Sequence, residues 1–193
     1  MKIFKKVLII LIFVFFTIQE IKSENLEANP VDKLQKMLKD ISFKDNGDFF
    51  QKTLKTVKLC YDSEKMIQMI IGENWRDITD VKRSELTEVF EKYITYNYLK
   101  MFAKISNPSF EEGNEKKIGD NYKLVKTFLI IGQNEKIEIN YLLLKKKKGW
   151  KILDVLLAGS VSEIATKKSE FSKYLNSGNI DELINALKKV IKL

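Results

Sequence analysis

Apolar residues recur along the first half of the chain at helical spacing. Val31, Leu34, Leu38 and Ile41 share one face of a helix that Asn29 caps and Pro30 opens, with Asp32 in its first turn. After a polar break at 45–48, Phe50, Leu54, Val57 and Tyr61 repeat the same period. Asp62 is placed to cap a short helix carrying Met66, Met69 and Ile70, with Gly72 suited to a left-handed C-cap. A long helix is predicted from near Thr79. Its stripe is Leu86, Val89, Phe90, Tyr93, Ile94, Asn97, Met101 and Ile105, and Pro108 marks its end.

Beyond Pro108 the period changes. Residues 122–131, 136–146 and 149–157 are β-rich runs, separated by turns around Gly132-Gln133-Asn134 and Lys147-Lys148-Gly149. A weaker strand over 110–118 completes a four-stranded antiparallel meander. Helices return with Ile164, Phe171, Tyr174 and Leu175, break at Asn176-Ser177-Gly178, and resume in a last helix. There Asn179 caps, Glu182 holds the capping-box position, and Leu183, Ile184, Leu187 and Ile191 face inward. The fold class is therefore α+β, in one domain over residues 24–193.

The strands are apolar on both sides. Ile137, Ile139, Tyr141 and Leu143 supply one face, yet Leu142 and Leu144 fall on the other. A sheet with one wet face alternates instead. Both faces are thus expected to be covered, one by helices and the other by further helices or an apolar guest.

Composition removes much chemistry. The 193 residues contain no His and one Cys. That excludes Ser-His-Asp and Cys-His catalysis, an intramolecular disulfide and the usual zinc sites, and leaves carboxylates, Lys or Tyr for any enzyme. Neither a cofactor nor a metal is expected.

The N-terminus reads as an address. Lys2, Lys5 and Lys6 precede an apolar run from Val7 to Ile18, the pattern of a secretory signal peptide over residues 1–23, with cleavage near Ser23. The run is too short to span a membrane, which takes ~20 apolar residues. Those 23 residues carry four Lys and one Glu, so the exported chain would keep +5 of the net charge of +8. From Lys145 onward eleven Lys face five acids. A basic face on an exported protein fits an acidic protein or an anionic lipid surface better than nucleic acid.

Two stretches resemble the MlaC / toluene-tolerance family. Ile71-Gly72-Glu73-Asn74-Trp75-Arg76, then Thr79-Asp80-Val81-Lys82-Arg83 and Phe90, Tyr93 and Tyr98, is similar to that family's Leu-Gly-x-x-Trp-Arg element and the helix after it. Gly149-Trp150-Lys151-Ile152-Leu153-Asp154-Val155, then Gly159, Ser162, Phe171, Leu175, Gly178 and Ile180-Asp181-Glu182-Leu183, is similar to its Trp-x-x-x-Asp-Val strand, Gly-Val-Ser turn and closing helix. The order holds over roughly residues 30–191. Ala158 stands where the family commonly has Glu, Asp80 replaces a Pro and Lys82 a Gln.

The resemblance implies a soluble, monomeric periplasmic carrier of phospholipid, with hopanoid transport in a related branch. Helices would pack around a twisted antiparallel sheet and enclose an apolar lipid cavity. The carrier would shuttle between an outer-membrane lipoprotein complex and an inner-membrane ABC transporter complex, maintaining outer-membrane lipid asymmetry. The alternatives are a small exported enzyme on a cone-shaped α+β scaffold using Asp154 with a Tyr, a carrier of hopanoid or another hydrophobic ligand, and a non-lipid interaction module such as an adaptor for an envelope complex.

The candidate lipid-binding residues are Met66, Met69, Ile70, Phe90, Ile94, Tyr98 and Met101 on helices and Tyr141, Leu143, Leu153 and Val155 on the sheet. Met adapts to an irregular guest. Lys145, Lys146, Lys147 and Lys148, at a predicted hairpin tip, are the candidates for partner docking. Asp154 is read as structural, paired with Arg83 or Arg76, because a buried charge needs a partner.

Overall fold

A computed structural model of the protein describes residues 29–41, 49–132 and 135–191. The expected export segment, residues 1–23, lies outside them. Helix α1 (Pro30–Ile41) is capped as its sequence predicts, the Val31 N–H donating to Asn29 Oδ1 at 3.1 Å. Helix α2 (Phe49–Cys60) and helix α3 (Ser63–Ile71) follow, joined at Tyr61 and Asp62. Asp62 does not cap α3 with its side chain; its Oδ2 accepts from Lys146 Nζ at 2.7 Å instead. Gly72 has φ 68° and ψ −131°, outside the left-handed helical region and a conformation open to glycine alone, and the chain continues as a 3₁₀ turn, Gly72–Asp77.

Helix α4 (Asp80–Phe102) is the longest element, opened by the Lys82 N–H donating to Thr79 Oγ1. It ends before Ile105. The chain leaves the helix through turns at Lys104 and Ile105, and Asn107, at φ 51°, precedes Pro108.

The sheet is a meander in the order β1 (Ser109–Ile118), β2 (Tyr122–Ile131), β3 (Glu135–Lys146), β4 (Gly149–Leu157) and β5 (Val161–Ser162), all antiparallel. The two-residue β5 is a strand more than the four expected. Gly113 lies in a register shift of β1, where a Cβ would stand 2.8 Å from the Lys126 carbonyl oxygen. Helices α5 (Glu163–Glu170), α6 (Ser172–Ser177) and α7 (Ile180–Ile191) complete the chain. Half of the capping box of α7 is formed: Glu182 N–H donates to Asn179 Oδ1 at 3.2 Å, while Glu182 Oε1 accepts from the Asn179 side-chain Nδ2 at 2.8 Å and the Asn179 backbone N–H donates to Ser177 Oγ at 3.4 Å.

Register decides the faces. Val125, Tyr141 and Val155 lie in one cross-strand row, and Thr127, Ile139 and Leu157 in the next. This inner face belongs to the same continuous core as Leu34 and Leu38 of α1, Ile67 and Ile70 of α3, and Leu86 and Phe90 of α4. The opposite face carries Leu124, Phe128, Ile130, Leu142 and Leu144, all half-buried. Its cover is partly its own: Lys136 and Lys126 lie over the Phe128 ring with Nζ 4.2 and 5.2 Å from the centroid. An ammonium over an aromatic ring is attracted to its negative face and covers it.

Candidate functional site

Between α4 and the inner face lies a cavity of about 270 Å³. Its walls come from α1 (Leu38), α3 (Met66, Ile70), α4 from Phe90 to Phe102, β3 (Ile139, Tyr141), β4 (Val155, Leu157) and α5. The helical stripe read along α4 is the main wall, because residues three and four apart share a face.

Eight of the eleven candidate residues line this cavity: Met66, Ile70, Phe90, Ile94, Tyr98, Met101, Tyr141 and Val155. The other three do not, for local reasons. Met69 sits one residue off the line from Met66 to Ile70 and is 40% exposed. Leu143 is fully buried in the core and does not border the cavity. Leu153 occupies a β-bulge: Leu142 pairs with Asp154 and Leu143 with Ile152, so Leu153 has no partner and Ile152 takes the place assigned to it.

Two tyrosines bring polar atoms to the wall. The Tyr61 and Tyr98 hydroxyls share a hydrogen bond, their ring centroids 6.4 Å apart. Burial pushes both hydroxyls well above their ordinary range, and it pushes Tyr141 up to about 12. All three are neutral donors at physiological pH. Burial likewise pushes the Cys60 thiol up to about 11, which makes it a small apolar core residue.

Charge enters from one helix. Glu163, Lys167 and Glu170, at helical spacing on α5, line the cavity with Asn97 of α4. Lys167 Nζ lies 2.8 Å from Glu170 Oε2, 3.9 Å from Glu163 Oε2 and 5.6 Å from the Tyr93 ring centroid. Burial holds the Glu163 carboxyl above the usual range, against the lowering effect of Lys167. These three ionic residues escaped the sequence reading, since charges on a short helix read as a solvated face. Their spacing of four and three was the signal that could have found them.

Asp154 is structural but has different partners from those expected. Its Oδ1 accepts from the N–H groups of Val155 at 2.8 Å and Ile164 at 3.2 Å, and its Oδ2 from Ser162 Oγ at 2.5 Å. A carboxylate is thus satisfied at the start of α5 without a cation. Arg83 is engaged elsewhere, donating through Nη2 to the Trp75 carbonyl at 2.9 Å with its guanidinium 5.4 Å from that indole's centroid. Asp154 pairs with Leu142, on the face away from Tyr141. It therefore does not meet a cavity tyrosine in the way the enzyme alternative requires.

A family model described as MlaC protein matches residues 28–189. The chain belongs to the MlaC family. Both stretches that carried the resemblance fall within this match, and they build the cavity's surroundings: the Trp75–Arg83 contact opens α4, and Asp154 ties β4 to α5. The chain is similar in structure to the phospholipid-binding protein from Ralstonia solanacearum, solved in complex with a phospholipid. The likeness has a TM-score of 0.69 at 19% identity and covers 84% of this chain and 93% of that one. It shows a shared α+β fold. No curated protein matches the chain significantly.

Lys145–Lys148 form the β3–β4 hairpin tip, all exposed, with Lys146 paired to Asp62 at 2.7 Å. Among the described residues no cluster of three His, Cys, Asp or Glu could hold a metal, and no helix is long and apolar enough to cross a membrane.

Proposed function

We propose that this MlaC-family chain binds a phospholipid, with acyl chain in the cavity and head group at its α5 edge, and carries it between membranes. The observation that carries this reading is the cavity itself, apolar along α4 and the sheet and charged only where α5 borders it. Each methylene removed from water is worth ~0.8 kcal/mol, so a long acyl chain is held without any polar contact. At about 270 Å³ the cavity is at the small end of ligand pockets, which run roughly 300–1,000 Å³, so a two-chain lipid requires its walls to part. Met66 and Met101, on facing helices, are the wall residues whose side chains yield most easily.

The family membership and the phospholipid held by the Ralstonia solanacearum protein support the reading. In its fuller form residues 1–23 direct export to the periplasm. The carrier, acting as a monomer without cofactor or chemistry, exchanges lipid with an outer-membrane lipoprotein complex and an inner-membrane ABC transporter complex. Lys145–Lys148 then serve docking.

Native mass spectrometry of the chain purified from cells tests the core claim. A lipid adduct that denaturation removes is expected. Protein that carries no lipid, and takes none from phosphatidylethanolamine vesicles, would overturn it.

A further inference from the structure

The α5 edge of the cavity has a charge order that selects among head groups. Lys167 is its cation, with a side chain only 16% exposed, so the ammonium is held in place rather than free in solvent. A carboxylate stands on each side of it along the helix, Glu163 and Glu170. With Asn97 neutral, the ionic residues lining the cavity sum to a charge of −1. The arrangement anion, cation, anion fits a ligand carrying an anion and a cation a few bonds apart. A phosphate seated at Lys167 faces two carboxylates, and only a ligand with its own ammonium turns that repulsion into a further attraction. Partial burial strengthens both effects relative to open solvent.

Resting on the phospholipid reading, we infer that Glu163, Lys167 and Glu170 form a head-group site selective for a zwitterionic aminophospholipid over an anionic one. Lys167 receives the phosphate, and the two glutamates receive the ammonium. A glycerol head group supplies hydroxyls in place of the ammonium and leaves the phosphate facing both carboxylates.

The test offers lipid-free protein to vesicles of equimolar phosphatidylethanolamine and phosphatidylglycerol, then measures the bound lipids by extraction and mass spectrometry. Wild type is expected to favour phosphatidylethanolamine by roughly fivefold, the scale of one partly exposed ion pair. Glu163→Gln with Glu170→Gln should bring the ratio near one by admitting phosphatidylglycerol, while Lys167→Gln lowers loading of both. Glu170→Gln alone, at an exposed position, should move the ratio the same way and serves if the double variant does not fold. Lipid bound with equal ratios in wild type and a folded glutamate variant overturns the head-group site and leaves the phospholipid reading intact. Failure of wild type to retain either lipid overturns both.

Discussion

The two faces of the sheet are alike in the sequence and unlike in the molecule. Tyr141 and Leu142 are neighbours, both apolar, yet one lines a cavity and the other lies half-buried on the far side. The contrast comes from what stands opposite. Helices α1, α3 and α4 join the inner face in one core, and where α4 does not close on it a cavity remains. The outer face meets Lys126 and Lys136, whose ammonium groups lie over the Phe128 ring. Apolarity on a strand thus specifies burial but not whether protein, solvent-borne Lys or a guest provides it.

Substitutions across the two faces test that contrast. The largest effect is expected at Leu143, fully buried on the inner face. Leu143→Ala should cost about 2–5 kcal/mol in denaturant unfolding, whereas Leu144→Ala on the outer face should cost under about 1.5 kcal/mol. Equal losses would show that the outer face is as tightly covered as the inner. Second comes cargo. Ile94→Trp fills cavity space and should lower bound lipid severalfold with the fold intact, while Leu142→Trp should leave lipid content unchanged. If Ile94→Trp keeps full occupancy, that wall does not touch the guest.

Third is the hairpin tip. Changing Lys146, Lys147 and Lys148 to Ser should slow association with anionic vesicles at low salt and flatten its salt dependence, because exposed charges act mainly on encounter. Thermal stability should hardly move, the Lys146–Asp62 pair being partly exposed and worth little. Equal association rates at low salt would place docking elsewhere.

The smallest effect concerns pH. Burial raises the folded pKa of Glu163 above its unfolded value, near 4.3, so the folded chain binds this proton more tightly. The group therefore favours folding below that value, and the benefit is lost as pH rises through the raised folded pKa. Glu163→Gln should melt slightly above wild type at pH 7, and the gap should close as pH falls toward 4. A gap that widens on acidification would mean that pairing with Lys167, and not burial, dominates.

Much of the architecture was legible because its signals are local. The Asn179 and Asn29 caps and the α4 stripe depend on residues within a few positions of one another. What was illegible depends on long-range pairing. The bulge at Leu153 slips β4 by one residue and exchanges Ile152 for Leu153, which no period-two reading of that strand contains. The partners of Asp154 lie eight and ten residues further on, as a hydroxyl and a backbone N–H that sequence does not single out. The charges on α5 came to the cavity through long-range packing, with the tie between Asp154 and the start of that helix as one part of it.

Helix α4 borders the cavity from Phe90 to Phe102. At 1.5 Å per residue that wall is about 18 Å long, and no proline interrupts it. A rigid rod of fixed length beside a flexible chain acts as a gauge. On the carrier reading, a guest shorter than the rod leaves part of the slot unfilled and a longer one bends or protrudes, so reach counts beside greasiness.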